Sequence, residues 1–354
     1  MIIIGIDPHK ASHTAVAVDD REIVVAEMTT RSCRTQTQRL RLWASRFDER
    51  VWAVESANGL GYLLAQQLVA AGERVVDVPP ALSARTRVLG SHRSQKNDPN
   101  DARSVAITAL RQPALQQVRP DDHAKVLKLT AKRHRDLARL RNQAACRVHA
   151  LLLELVPGGL AGKYSLSRAN AVLDKVESTD RSSVLRVASV RELTADISHY
   201  DLQLKATRKR LFEAVEASGT TLTSIRGCGP IVAALILGHT GDITRFASAA
   251  HFASYNATAP IEASSGERKR HRLNQRGNRQ LNFALHIIAV SQLRYPCPGR
   301  TYYDRKRAEG KNTKEALRAL KRQISDVVHR TMIADAQRVK VGPGGHPGTT
   351  QTPA

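Results

Sequence analysis

At 354 residues the chain is too long for one ordinary domain and suits two or three. Hydrophobic residues make up 42%, which excludes global disorder, and aromatic residues only 4%, which excludes base stacking on aromatic platforms as the main binding mode. The formal charge of +23 points to a polyanion, with nucleic acid as the default, and it gathers toward the C-terminus: residues 1–115 carry a net +3, residues 116–216 a net +7 and residues 217–354 a net +13.

In chain order, the run Ile2 to Asp7 reads as a buried strand, Thr14 to Val18 as a second and Glu22 to Glu27 as a third, joined by tight turns into a meander. Residues 35–47 read as a helix, Val51 to Val54 as a short strand ending at Glu55, and Leu60 to Ala71 as an amphipathic helix stopped by Gly72. Arg74 to Val78 is a further strand closed by Pro79 and Pro80, and Asp98 to Leu110 a helix. Strands first, then alternating strands and helices, predict an α/β domain on a mixed sheet. Residues 123–155, free of Gly and Pro, and residues 188–216 read as two long amphipathic helices, separated by a break at Pro157. They form a helical hairpin or coiled-coil arm, with a plain helical bundle as the alternative. After them come the apolar helices Ile231 to Leu237 and Leu281 to Val290, and a Gly/Pro-rich tail from Val341 that reads as disordered. The expected domains are thus 1–118, 119–216, 217–340 and a tail, 341–354.

Cys33, Cys146, Cys228 and Cys297 form no CxxC pair, so there is no zinc signature, and their scatter suits a reducing cytoplasm. No signal peptide is legible, and no run reaches the ~18 apolar residues of a membrane span.

Four acids stand out. Asp7 and Glu55 end strands, while Asp98 and Asp101 lie three apart at the start of a helix and face one side. Such acids can converge on one edge of a sheet, and an oxygen-rich site of that kind suits Mg²⁺ or Mn²⁺ and phosphoryl transfer. Taken singly, each has a plainer role; helix capping is the commonest job of an Asp at the position of Asp98 or Asp101.

Ser224 to Pro230 contains a Gly227-Cys-Gly229 turn before an apolar helix, the arrangement by which helix-hairpin-helix modules hold DNA phosphates on backbone N–H groups. Arg268, Lys269, Arg270, Arg272, Arg276 and Arg279 make a basic run suited to phosphate, with Asn278 inside it and the Ser265-Gly266 turn beside it. Composition alone does not make that serine a nucleophile, because no His or Asp at a telling spacing accompanies it.

Taken in order, Gly5-Ile-Asp7-Pro-His-Lys10, Val54-Glu55-Ser-Ala-Asn-Gly59, Pro79-Pro-Ala-Leu82 and Lys96-Asn-Asp98-Pro-Asn-Asp101-Ala-Arg103 resemble the DEDD, RuvC-like (RNase H-like) domain of the Piv/MooV-related insertion-sequence transposases, the insertion-sequence one-hundred-and-ten family. Ile225 to Pro230, Arg245-Phe246, Pro260, Ser265-Gly266 and Arg276 to Leu281 resemble that family's second, mostly helical domain. The match covers about residues 1–335. It implies a metal-binding tetrad of Asp7, Glu55, Asp98 and Asp101, and a nucleophile, Ser265 or its neighbour Ser264, that forms a covalent phosphoserine link to DNA. It implies a dimer, joined by the helical arm and pairing into a tetramer, in which the serine of one protomer completes the metal site of another. It further implies a structured non-coding RNA that bridges target and donor DNA by base pairing, a cytoplasmic, nucleoid-associated bacterial location, and no membrane partner. The sequence departs from the family at Asn256 to Pro260, which lacks a Gly-Leu before the proline, and after Gly266, where Glu-Arg-Lys-Arg-His-Arg replaces a Gly/Ser-rich stretch. The leading rival reading is a metal-dependent junction nuclease that uses water in place of serine. A sugar-kinase-like ATPase would need a second phosphate loop that the sequence lacks, and a non-catalytic nucleic-acid binder would need no acids at strand ends.

Overall fold

The computed structural model describes residues 1–90, 97–177, 180–262, 271–272, 274 and 277–341. It divides into two compact units, Met1–Asp121 and Asp122–Ala354.

In the first unit, β1 (Ile2–Pro8), β2 (Ser12–Val18) and β3 (Val24–Arg31) form an antiparallel meander, and β4 (Arg50–Glu55) and β5 (Val75–Val78) add to the other side of β1 in parallel. The strand order is β3-β2-β1-β4-β5. The near-continuous apolar runs of β1, β2 and β4 follow from burial on both faces. Ile4, Ile6, Trp52 and Val54 pack toward α1 (Gln36–Ala44) and α2 (Tyr62–Ala70). Their alternates Ile3, Val51 and Ala53 pack toward Ala102, Val105 and Ala106 of α4 (Asp98–Arg111). Gly5 lies under α4, where an added Cβ would stand 2.1 Å from the Ala102 carbonyl oxygen and 2.5 Å from the Ala106 nitrogen, so the helix rests directly on the strand backbone. At the opening end of the sheet the half-buried Glu73 carboxylate accepts hydrogen bonds from Trp52 Nε1 (2.8 Å), Arg50 Nε (3.0 Å) and Arg41 Nε (3.1 Å).

One helix of this unit runs against expectation. Pro79 and Pro80 read as the close of β5, yet Pro80 is the first residue of α3 (Pro80–Gly90). A proline is well placed there, because its missing N–H is not needed in the first turn.

The second unit begins with α5 (His123–Leu155), α6 (Leu166–Leu173) and α7 (Arg181–Ala217). Arg141 pairs with Asp201 (2.7 Å) and Arg186 with Glu154 (2.6 Å), so α5 and α7 run antiparallel. Val148, Leu152, Val187, Val190 and Ile197 fill the seam between them, and Leu173 of α6 joins the same cluster. At the other end of the hairpin, Leu127, Ala131, Leu211 and Val215 enter a different core, shared with α8 (Pro230–Thr240), α9 (Ala249–Tyr255), α10 (Arg279–Gln292) and α12 (Thr313–Val341). The regions read from sequence as 119–216 and 217–340 therefore share one core. The short α11 (Pro298–Ala308) packs on α12, and β6 (Ile261–Glu262) pairs with β7 (His271–Arg272). All four cysteines are free, and among the described residues no helix is long and apolar enough to cross a membrane. The tail beyond 341, read as disordered, lies outside the described residues.

Candidate active site

The sheet and α4 explain where the four acids go. In the parallel β1–β4 ladder Ile6 sits opposite Val54, which leaves Asp7 and Glu55 side by side at the carboxyl end of the sheet. Asn97 caps α4 by accepting from the Asn100 N–H (2.9 Å), which places Asp98 and Asp101 in the first turn. The contact of Ala102 and Ala106 on Gly5 sets that turn against the end of β1. Asp7 and Asp98 offer carboxylate oxygens that lie, together with a ring nitrogen of His9, within 4.8 Å of one another. Glu55 and Asp101 stand near enough for their charges to act on Asp7.

Electrostatically the edge is strained. Burial pushes the Asp7 carboxyl up to about 6, the negative charges of Glu55, Asp101 and Asp98 add to the effect, and His9 opposes it. A buried carboxylate among three further acids is stabilised by a bound cation, and a donor set of hard oxygens with one imidazole fits a divalent ion.

α3 contributes two side chains that the sequence reading passed over. The buried Ser83 hydroxyl donates to Glu55, and Arg87 pairs with Asp101. Beyond Glu55 the chain turns sharply through Ser56 (φ 49°), and Asp77 holds the turn by accepting from the Ala57 N–H and from Asn58 Nδ2, both at 2.8 Å. His9 was also passed over, although its signal was present: it stands two residues beyond Asp7, and alternate residues at a strand end share a face.

In the second unit, Ser264, Ser265, Arg268, Lys269, Arg270 and Arg276 lie outside the described residues, and Arg272 lies on β7. The two ends of the segment that carries them are tied together. Asn282 Nδ2 donates to the carbonyls of Asn256 (3.0 Å) and Ala257 (3.2 Å), and Lys321 Nζ donates to Asn282 Oδ1 (2.5 Å). Fully buried Asn256 donates to Ser325 Oγ (2.8 Å) and accepts from the Thr258 hydroxyl (2.7 Å). Gly277 closes against Ala257, where a Cβ would come within 2.6 Å. Asn278 caps α10, accepting from the Gln280 and Leu281 N–H groups, so its side-chain oxygen serves the fold; Arg279 beside it is exposed.

Gly227 (φ 90°) lies against Ser291 and Ile288, where a Cβ would come within 2.9 Å. Gly229 precedes α8 and has open space at its Cβ position. The element before them is a single 3₁₀ turn, Leu222–Ser224, not an α-helix.

Two family models match. One described as a transposase, of the DEDD type of IS110, spans residues 4–157, and one described as the transposase IS116/IS110/IS902 family spans residues 219–304. The uncharacterised 44.8 kDa protein of insertion element IS116 from Streptomyces clavuligerus is 28% identical, over 92% of this chain and 93% of its own length. The 42 kDa protein of IS900 from Mycobacterium paratuberculosis is 29% identical, over 92% and 94%. Among solved structures, Thermus thermophilus RuvC matches at 18% identity and a TM-score of 0.27, over 33% of this chain and 100% of that one. RuvC in complex with a Holliday junction substrate matches at 19% identity and the same TM-score. With two models of one family lying in chain order, the chain belongs to the IS110/IS116/IS902 family of transposases.

Proposed function

We propose that this transposase cuts and rejoins DNA strands through a covalent phosphoserine intermediate formed on Ser265, with a Mg²⁺ or Mn²⁺ centre held by Asp7, Glu55, Asp98 and Asp101. The observation that carries the reading is the convergence of these acids at one end of the sheet, where Asp7 is buried among like charges. Bound there, the cation supplies Lewis-acid stabilisation of the charge that builds on the phosphoryl oxygens. Asp7, fixed by β1, and Asp98, fixed by the capped first turn of α4, keep their oxygens in place before DNA arrives. Ser83 and Arg87 orient the other two acids.

In the chemical step the serine Oγ–P bond forms as the phosphodiester's P–O bond to the sugar breaks. The serine proton leaves, and the departing sugar oxygen takes one up. The new phosphoester keeps the bond energy of the old one, so the reverse attack by a sugar hydroxyl restores the strand without ATP. The network of Asn256, Asn282, Lys321 and Ser325 holds both ends of the serine-bearing segment to the helical core. Phosphates bind the basic run Arg268 to Arg279 and the Gly227–Gly229 turn, in keeping with the net +13 of the C-terminal region. A structured RNA of the element bridges donor and target DNA and selects sequence by pairing, and the working form is a dimer that assembles to a tetramer.

The test is a denaturing gel of full-length protein with element-end DNA, flanking RNA and Mg²⁺, comparing the parent with Ser265→Ala and Ser264→Ala. A protein–DNA adduct lost only in Ser265→Ala supports the reading. Cleavage without any adduct would replace serine by water and make the chain a metal-dependent nuclease.

A further inference from the structure

We propose that His9 is a direct nitrogen ligand of the cation held by Asp7 and Asp98, and that it biases this centre toward Mn²⁺ over Mg²⁺; the inference rests on reading the acid edge as a cation centre. His9 Nδ1 stands 3.7 Å from Asp7 Oδ2, and the donor atoms of Asp7, His9 and Asp98 lie within 4.8 Å of one another. Two donors ~2.1 Å from one ion stand ~3 Å apart when adjacent and ~4 Å apart when opposed. The Asp7–His9 pair must therefore close by less than ~1 Å, and the other pairs by no more than ~2 Å, for all three to share a single ion.

The ring is placed by the fold. Pro8 precedes it, and the His9 N–H donates to the Ser12 carbonyl (2.9 Å), closing the β1–β2 turn. Its side chain is 47% exposed against 10% for Asp7, so it stands on the solvent side of the buried acid. Among the described residues the compact donor set is Asp7, His9 and Asp98, while Glu55 and Asp101, oriented by Ser83 and Arg87 of α3, complete the acid edge around it.

The chemical consequence concerns the choice of ion. Mg²⁺ is a hard, strongly hydrated ion that takes oxygen donors, whereas imidazole suits transition metals, Mn²⁺ among those nearest to Mg²⁺ in its tolerance of carboxylates. A centre of acids alone would bind the two ions through the same atoms. With His9 in the ligand set, Mn²⁺ gains a bond that Mg²⁺ forms poorly.

The experiment uses full-length protein without nucleic acid. Mn²⁺ and Mg²⁺ affinities are measured by calorimetry, and the Mn²⁺ ligand sphere by pulsed electron paramagnetic resonance, for the parent, His9→Gln and Asp7→Asn. The expected result is a ¹⁴N coupling on bound Mn²⁺ that disappears in His9→Gln, with Mn²⁺ affinity falling on the order of tenfold and Mg²⁺ affinity hardly changed. Mn²⁺ bound tightly in the parent with no nitrogen coupling, or with equal affinity in His9→Gln, overturns the inference and leaves the acid edge standing. No Mn²⁺ binding that Asp7→Asn removes overturns the cation reading of the edge and the role of His9 with it. His9 is exposed at a turn, and unchanged thermal melts of His9→Gln confirm that the comparison is made on folded protein.

Discussion

Gly5→Ala tests how the fold builds the acid edge without touching an acid. The new methyl carbon would stand 2.1 Å from the Ala102 carbonyl oxygen and 2.5 Å from the Ala106 nitrogen, both backbone atoms of α4. Ordinary contact begins near ~3.5 Å, so α4 must withdraw from β1 by ~1.4 Å to clear the nearer atom. Overpacking of this kind costs roughly 1–3 kcal/mol. The larger effect falls on function, because α4 carries Asp98 and Asp101 in its first turn while Asp7 stays on β1. A displacement of reacting groups by about 1 Å costs on the order of 100-fold in rate. The variant should therefore lose some thermal stability, lose most of its Mn²⁺ affinity and cleave DNA far more slowly, with all four acids intact. Calorimetry, thermal melts and a cleavage time course on full-length protein read these three effects. A variant with parental melting, parental cation affinity and parental cleavage would refute the placement of α4 and the site built on it.

Asp7→Asn should stabilise the cation-free protein by roughly 2–3 kcal/mol at pH 8 and hardly at all at pH 4. With its carboxyl raised to about 6, the folded state holds a proton that the unfolded chain releases near 3.8, so stability falls as pH rises through that window and the cost is complete above it; urea titrations at the two pH values decide it. Glu73 behaves in the opposite sense. Burial disfavours its charge, but hydrogen bonds from Arg50, Trp52 and Arg41 overcome that and hold it at about 2. Its stabilisation, roughly 3 kcal/mol, is present above pH ~4.5 and lost as pH falls toward 2. Glu73→Gln should accordingly unfold the N-terminal unit at lower urea at pH 7, and equal midpoints would count against the cluster. Asn282→Ala frees the Asn256 and Ala257 carbonyls and strips the half-buried Lys321 of its acceptor, at a cost of roughly 2–4 kcal/mol. It should also slow adduct formation; a lower melting temperature with an unchanged adduct rate would leave the network a structural role only.

The sheet was the most legible part of the sequence. All five of its strands were readable because apolar runs in short segments bounded by Gly, Pro and acidic turns are a strong local signal, and the acids at the ends of β1 and β4 followed from it. The long helices α5 and α7 were readable from their amphipathic period, although α7 begins at Arg181, earlier than expected. α3 was hidden because Pro79-Pro80 reads equally as a strand stop and as a helix start, and with it went Ser83 and Arg87. α11 carries many charged residues and buries none of its side chains, so its pattern gave little to read, whereas α12 carries a legible signal that went untaken: Ala316, Leu320, Ile324, Val328 and Met332 recur every four residues and are buried. His9 was legible in principle, two residues from Asp7, but only the fold shows that the strand ends in a turn that keeps its ring over the acid. The network of Asn256, Asn282, Lys321 and Ser325 joins residues up to 69 apart in sequence, and no local pattern announces such a contact.

The most direct test of the central claim, that the acid edge of the sheet is the catalytic cation centre, is anomalous scattering from crystals of the full-length protein soaked in Mn²⁺. A peak bounded by Asp7 and Asp98, lost in Asp7→Asn crystals along with DNA cleavage in solution, is the predicted result. No peak at that edge at Mn²⁺ concentrations that support cleavage, or cleavage that persists in Asp7→Asn, would contradict it.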